Sequence, residues 1–154
     1  MNASFSTRRF VAGLQAGMAG ALVMLAWLGL AMIWAGHSVW WFPNLMATTF
    51  GGDPALRNGF GKYTAPGLAL HLLLYSLFGG AFGWLVPSRM GGTRILLLAV
   101  IAALGFYFAM YDFVWPRVNP LVPLYSPDRP VIVGHVFFAF FLARVSRYAP
   151  GTIR

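Results

Sequence analysis

PGLALHLLLYSLFGGAFGWLV, residues 66–86, decides how this chain is read. A helix of that length runs roughly 30 Å, the thickness of a bilayer's hydrocarbon core. It carries one side chain that titrates near neutral pH, His71. It opens on Pro66, which a first helical turn accepts because the missing N–H would have no partner there, and Pro87 follows its end. A second stretch, PVIVGHVFFAFFLARV at residues 130–145, repeats the order of proline, four residues, histidine, here His135, with an arginine near the far end.

Two further apolar runs flank these. Residues 10–35 hold Gln15 as their only strongly polar side chain and follow Arg8 and Arg9. That run is too long for the core of a secretory signal, which has about 7 to 15 residues. Residues 95–115 are apolar until Asp112. The run begun at Pro130 meets Arg144, whose stem can carry its charge back to the headgroups, so the span extends to about residue 147. The expected fold is therefore all-α, a four-transmembrane-helix antiparallel bundle forming one integral membrane domain over residues 1–154. The shared Pro-x4-His suggests that the bundle consists of two repeated helical hairpins.

Composition agrees. The chain is 59% hydrophobic and 9% charged, against about a quarter charged in soluble domains. The absence of cysteine excludes disulfides, thiolate metal sites and c-type haem attachment. Between the runs, residues 36–65 are the longest polar connection, with Trp40, Trp41 and Phe42 suited to the headgroup level and residues 43–50 to a short interfacial helix. Residues 116–129 contain Pro116, Pro120, Pro123 and Pro127 and read as extended and stiff.

The net charge is +8, but its arginines stand in ones and twos at the ends of apolar runs, without the clustered patch that a nucleic-acid partner requires. Arg8, Arg9, Arg89, Arg94, Arg144, Arg147 and Arg154 fall on one side. Arg57, Lys62, Arg117 and Arg129 fall on the other, with Asp53, Asp112 and Asp128. The positive-inside rule then predicts a multi-pass protein of the bacterial inner membrane, with both termini and the loop 88–93 cytoplasmic.

Helices in lipid associate through small residues that let backbones approach. Gly13, Gly17 and Gly20 supply such a seam in the first run, Gly79 and Gly83 in the second, and Ala102, Gly105, Ala109 and Asp112 in the third. In the fourth, His135, Ala139 and Ala143 share a face. His71, Tyr75, Gly79 and Gly83 recur every fourth residue, so the polar groups of the second helix lie on its small face.

Ionisable groups inside a membrane are costly and face the protein interior, which singles out His71, His135 and Asp112. Four readings follow. The histidines can be polar glue, bonded to Tyr75, Tyr107, Tyr111 or Asp112. They can clasp haem b from diagonal helices, which looks like the arrangement in membrane b-type cytochromes and would make the protein a single-haem electron carrier. With Asp112, and His37 approaching as a fourth ligand, they can hold Zn or Fe(II). A small transporter is the last reading, though one intramembrane acid offers no evident substrate path. No cysteine and no serine elbow supports nucleophilic catalysis.

With its His71-to-Gly79 motif and its histidine-bearing second and fourth helices, the chain resembles a family of small four-span bacterial integral membrane proteins with no assigned activity. That resemblance implies the fold and brings no chemistry. The expected function is non-enzymatic: an accessory or scaffold component in the lipid bilayer, associated with other membrane subunits or with copies of itself.

Overall fold

A computed structural model of the chain describes residues 3–87 and 90–148, with side chains from residue 6 onward. Ser88, Arg89 and Arg154, which enter the expected loop and orientation, lie outside the described residues. The apolar runs become helices because every backbone N–H and C=O is then bonded within its own segment. They are α1 (Ala3–Trp34), α3 (Thr64–Leu85), α4 (Gly92–Phe108) and α7 (Asp128–Leu142), and no strand occurs among the described residues.

Three helical stretches are long and apolar enough to cross a membrane: Ser6–Trp34, Thr64–Leu85 and Gly92–Val118. The third is α4 continued through a π-helical segment, Ala109–Val114, into α5 (Trp115–Val118). The fourth run is interrupted. After α7 the chain turns at Ala143 and Arg144 before the short α8 (Val145–Tyr148), and the Arg144 guanidinium lies over the Phe141 ring at 5.5 Å.

α1 packs along α3 and α7 and touches α8, while α4 packs on α7. The α1–α3 contact is backbone on backbone. A methyl group added at Gly13 would strike the Gly79 carbonyl oxygen, and one at Gly17 would lie 2.5 Å from the Tyr75 oxygen. One at Gly83 would lie 2.5 Å from the Arg9 oxygen. Gly20 instead abuts the Phe138 and Phe141 side chains of α7. α7 buries Val131, Gly134, His135, Phe138, Ala139 and Leu142, a stripe at helical spacing.

Three expectations need correction. The seam expected on the third helix, Ala102, Gly105, Ala109 and Asp112, does not form its inner face. Ile95, Ala99, Ala103 and Tyr107 are buried, whereas Gly105, Ala109 and Asp112 are exposed and Gly105 has nothing within 4 Å of an added methyl. This helix has small residues on more than one side, and the side that carries Tyr107 inward prevails because the ring fills a space no glycine can.

The second concerns residues 43–50. The expected short helix forms as α2 (Trp41–Gly51), but it is packed into the protein, with every residue from Phe42 to Thr48 buried. It seats against α3 where Gly67 leaves room for the Pro43 carbonyl. The third concerns the proline-rich connection, which is helical in short pieces, α5 and α6 (Leu121–Tyr125). Pro116 stands in the first turn of α5 and Pro120 caps α6, positions where no helical N–H is lost.

Candidate functional site

The interior polar centre is built on three side chains, His71 and Tyr75 one turn apart on α3 and His135 on α7. Both imidazoles are fully buried and Tyr75 nearly so. His135 Nδ1 lies 2.9 Å from the Val131 carbonyl, which only accepts, so that nitrogen carries the proton. Its Nε2 is then the acceptor, and the Tyr75 hydroxyl donates to it at 3.0 Å. Both ring nitrogens of His135 are thereby satisfied.

His71 differs. Its Nε2 donates to the Ala21 carbonyl of α1 at 3.3 Å, a helix carbonyl using its second lone pair. The same tautomer argument makes Nδ1 an acceptor, and it is buried with no partner among the described residues. The His71 ring lies 4.4 Å from that of Tyr75 and edge-on to Phe42 of α2 at 5.8 Å. Beside it is a cavity of about 10 Å³, lined by Phe42, Met46, His71, Tyr75, Met110 and Tyr111 among others, room for about one water.

The other expected members fall in different places. Tyr107 is edge-on to His135 at 5.3 Å and stacked on Tyr111 at 4.9 Å, while the Tyr111 hydroxyl meets that of Ser126 at 3.3 Å. His37 is stacked on Trp41 at 4.2 Å, outside this centre. Asp112 is exposed, and no group of three His, Asp or Glu side chains among the described residues is close enough to hold a metal ion. The metal reading thus loses the carboxylate on which it was based.

Haem fails a geometric test. The Tyr75 ring lies against both imidazoles, at 4.4 Å and 5.5 Å between centroids. His135 bonds to Tyr75, a turn beyond His71, and its coordinating nitrogen is occupied. A ligand site of macrocycle size needs roughly 300 Å³ or more. The space beside His71 is about 10 Å³. Phe78, Phe106 and Phe138 line the rest of this side, with the Phe78 ring against both of the others.

A second polar cluster was not foreseen from the sequence. Asn44 of α2 donates from its amide nitrogen to the Arg57 and Gly59 carbonyls, each at 2.8 Å, and accepts from the Thr64 hydroxyl at 2.7 Å. Thr64 in turn accepts the Gly61 N–H at 2.9 Å. One turn further along α2, Asn119 donates to Thr48 at 2.7 Å and to Thr49 at 3.0 Å. These groups tie residues 56–64 and the proline-rich connection to α2. The available signal was a lone asparagine following Trp-Trp-Phe-Pro, too polar for an apolar stretch unless its amide is bonded.

Comparison of the chain with protein-family profiles, with curated proteins and with solved structures finds no match.

Proposed function

We propose that the protein is a four-span integral membrane protein of accessory or scaffold type, non-enzymatic, which works as part of a larger membrane assembly or as a homo-oligomer. In this reading α7 and α8 together form the fourth span. They cover residues 128–148, roughly 30 Å of helix if the turn at Ala143 and Arg144 costs little length. Both termini are then cytoplasmic in a bacterial inner membrane.

The observation that carries the reading is the solid filling of the polar centre. His135 and Tyr75 spend their hydrogen bonds on each other and on the backbone, and aromatic rings occupy the surrounding volume. Such groups join helices and leave no room for a reactant. Support for partners comes from the outer surface, where Trp34, Trp84, Leu85, Leu97, Ile101 and Phe113 are all more than half exposed.

Two experiments test this. Purified in mild detergent at native expression, the protein should run as an oligomer or carry stoichiometric companion subunits. A lone monodisperse monomer would overturn the assembly reading. Because the chain has no cysteine, single substitutions report sidedness without background. Arg129→Cys should react with an impermeant maleimide from outside the cell, and Arg147→Cys only after permeabilisation. Labelling of both from one side would remove the fourth span.

A further inference from the structure

Residues 55–63, between α2 and α3, surround an open pocket of about 450 Å³, within the range of small-molecule sites. Its wall includes two cations, Arg57 and Lys62, two rings, Phe60 and Tyr63, and the peptide groups of Gly59 and Gly61. Asn44 reaches it from below. Three observations separate it from an ordinary surface dent.

The first is that its floor is built. The buried Asn44 side chain and the buried Thr64 hydroxyl hold the Arg57 and Gly59 carbonyls and the Gly61 N–H, so the loop is fixed from beneath by groups that a plain connector would not need. The second is its charge. The Arg57 Nε donates to the Pro54 carbonyl at 3.1 Å and the Lys62 ammonium sits over the Tyr63 ring at 4.8 Å, while no carboxylate among the described residues pairs with either. Each cation therefore keeps free donors toward the pocket. The third is its level. The pocket borders Thr64, where the membrane-spanning α3 begins, and Phe60 is 70% exposed at its rim. A ring held out to solvent beside two cations suits a ligand with an anionic head and an apolar body.

We infer that this pocket binds a phosphate-bearing molecule, with the phosphate between Arg57 and Lys62 and the apolar part against Phe60 and Tyr63. A phospholipid headgroup and a soluble phosphomonoester share that chemistry. Binding is non-covalent, and the inference stands apart from the scaffold reading, since it concerns a surface that the polar centre does not touch.

The test uses the full chain in nanodiscs. In discs of phosphatidylcholine with a minor share of phosphatidylglycerol, native mass spectrometry of the released protein should find phosphatidylglycerol retained. The double variant Arg57→Gln/Lys62→Gln should lower that retention by about thirtyfold, the effect of two surface cations on an anionic lipid. Arg117→Gln/Arg129→Gln, which removes two exposed cations away from the pocket, should leave it unchanged. Glycerol 1-phosphate titrated calorimetrically into phosphatidylcholine discs is the second arm. Heat that disappears in the Arg57/Lys62 variant, without lipid retention, makes the ligand a soluble phosphate; retention without such heat makes it a lipid. If neither probe binds, or if both double variants behave alike, the inference is overturned. All four side chains are exposed, so the variants should fold, and an unchanged melting temperature checks that they do.

Discussion

α3 meets its neighbours in two opposite ways. Toward α1 it presents Tyr75's backbone, Gly79 and Gly83, where the two main chains touch directly, and one turn before Tyr75 the His71 ring reaches the Ala21 carbonyl of α1. Toward α4, its successor in the chain, contact is made by rings. Phe78 stacks on Phe106 at 4.3 Å, and Tyr75 meets Phe106 edge-on at 5.4 Å. Backbone approach between α3 and α4 is slight by comparison. The glycine side has no spare volume. The aromatic side has volume to fill, and there His135, the Tyr75 ring and the buried part of α2 are found, with His71 at its edge toward α1. Polar side chains enter this apolar bundle where helices stand apart, because they need both space and a partner across it.

The contrast can be broken first on its tight side. Gly79→Leu should cost about 3 kcal/mol or more, enough to deplete folded protein from the membrane, because the added atoms meet backbone that cannot rotate away. Membrane yield and thermal unfolding followed by tryptophan fluorescence read this. A variant as stable as the parent would disprove the seam.

On the wide side, His135→Leu strands the Tyr75 hydroxyl and should cost about 1 to 3 kcal/mol. Tyr75→Phe should cost a similar amount, and the double variant less than the sum. The coupling expected from intramembrane hydrogen bonds is about 0.6 to 1.7 kcal/mol in a double-mutant cycle. Strict additivity would mean that the bond contributes nothing.

His71→Leu should do less damage, about 1 kcal/mol or below, since it removes one long bond and also an acceptor that had no partner. A greater loss than in His135→Leu would show that His71 Nδ1 has a partner, for which a water in the adjoining cavity is the natural occupant. The smallest effect belongs to Gly105→Ala, within about 0.5 kcal/mol of the parent, because the added methyl meets nothing. With haem precursor supplied to the cells, the reduced-minus-oxidised spectrum should show no b-type bands. Their appearance would require Tyr75 to leave its place between the histidines.

The difference between the two sides also explains which features were legible in the amino-acid order. Gly13, Gly17, Gly79 and Gly83 announce themselves by spacing alone, since glycine's lack of a side chain is a local property whose use in lipid is narrow. The burial of His71 and His135 follows similarly from the cost of placing imidazole in hydrocarbon. Gly105 and Asp112 show the limit. They stand at spacings as regular as the others, yet they face outward, because a helix with small residues around much of its circumference has no unique seam.

Asn44 and Arg57 show the same limit over longer distances. Their association rests on one hydrogen bond across 13 positions, and nothing in the intervening turns specifies it. The fourth apolar run also turned on geometry, since its length suggested one continuous helix where the chain turns at Ala143 and Arg144.

By itself the sequence determined that this chain is helical and apolar enough for membrane helices, and that its two interior histidines lie on α3 and α7. Hydropathy, helical period and the missing side chain of glycine act over a few residues, and a few residues suffice to read them. Only the tertiary structure decided that Tyr75 would stand between the histidines, that α2 would fill the wide side, and that Arg57 and Lys62 would border one pocket. Those outcomes depend on which volumes remain once helices have met, and that is a property of the whole bundle.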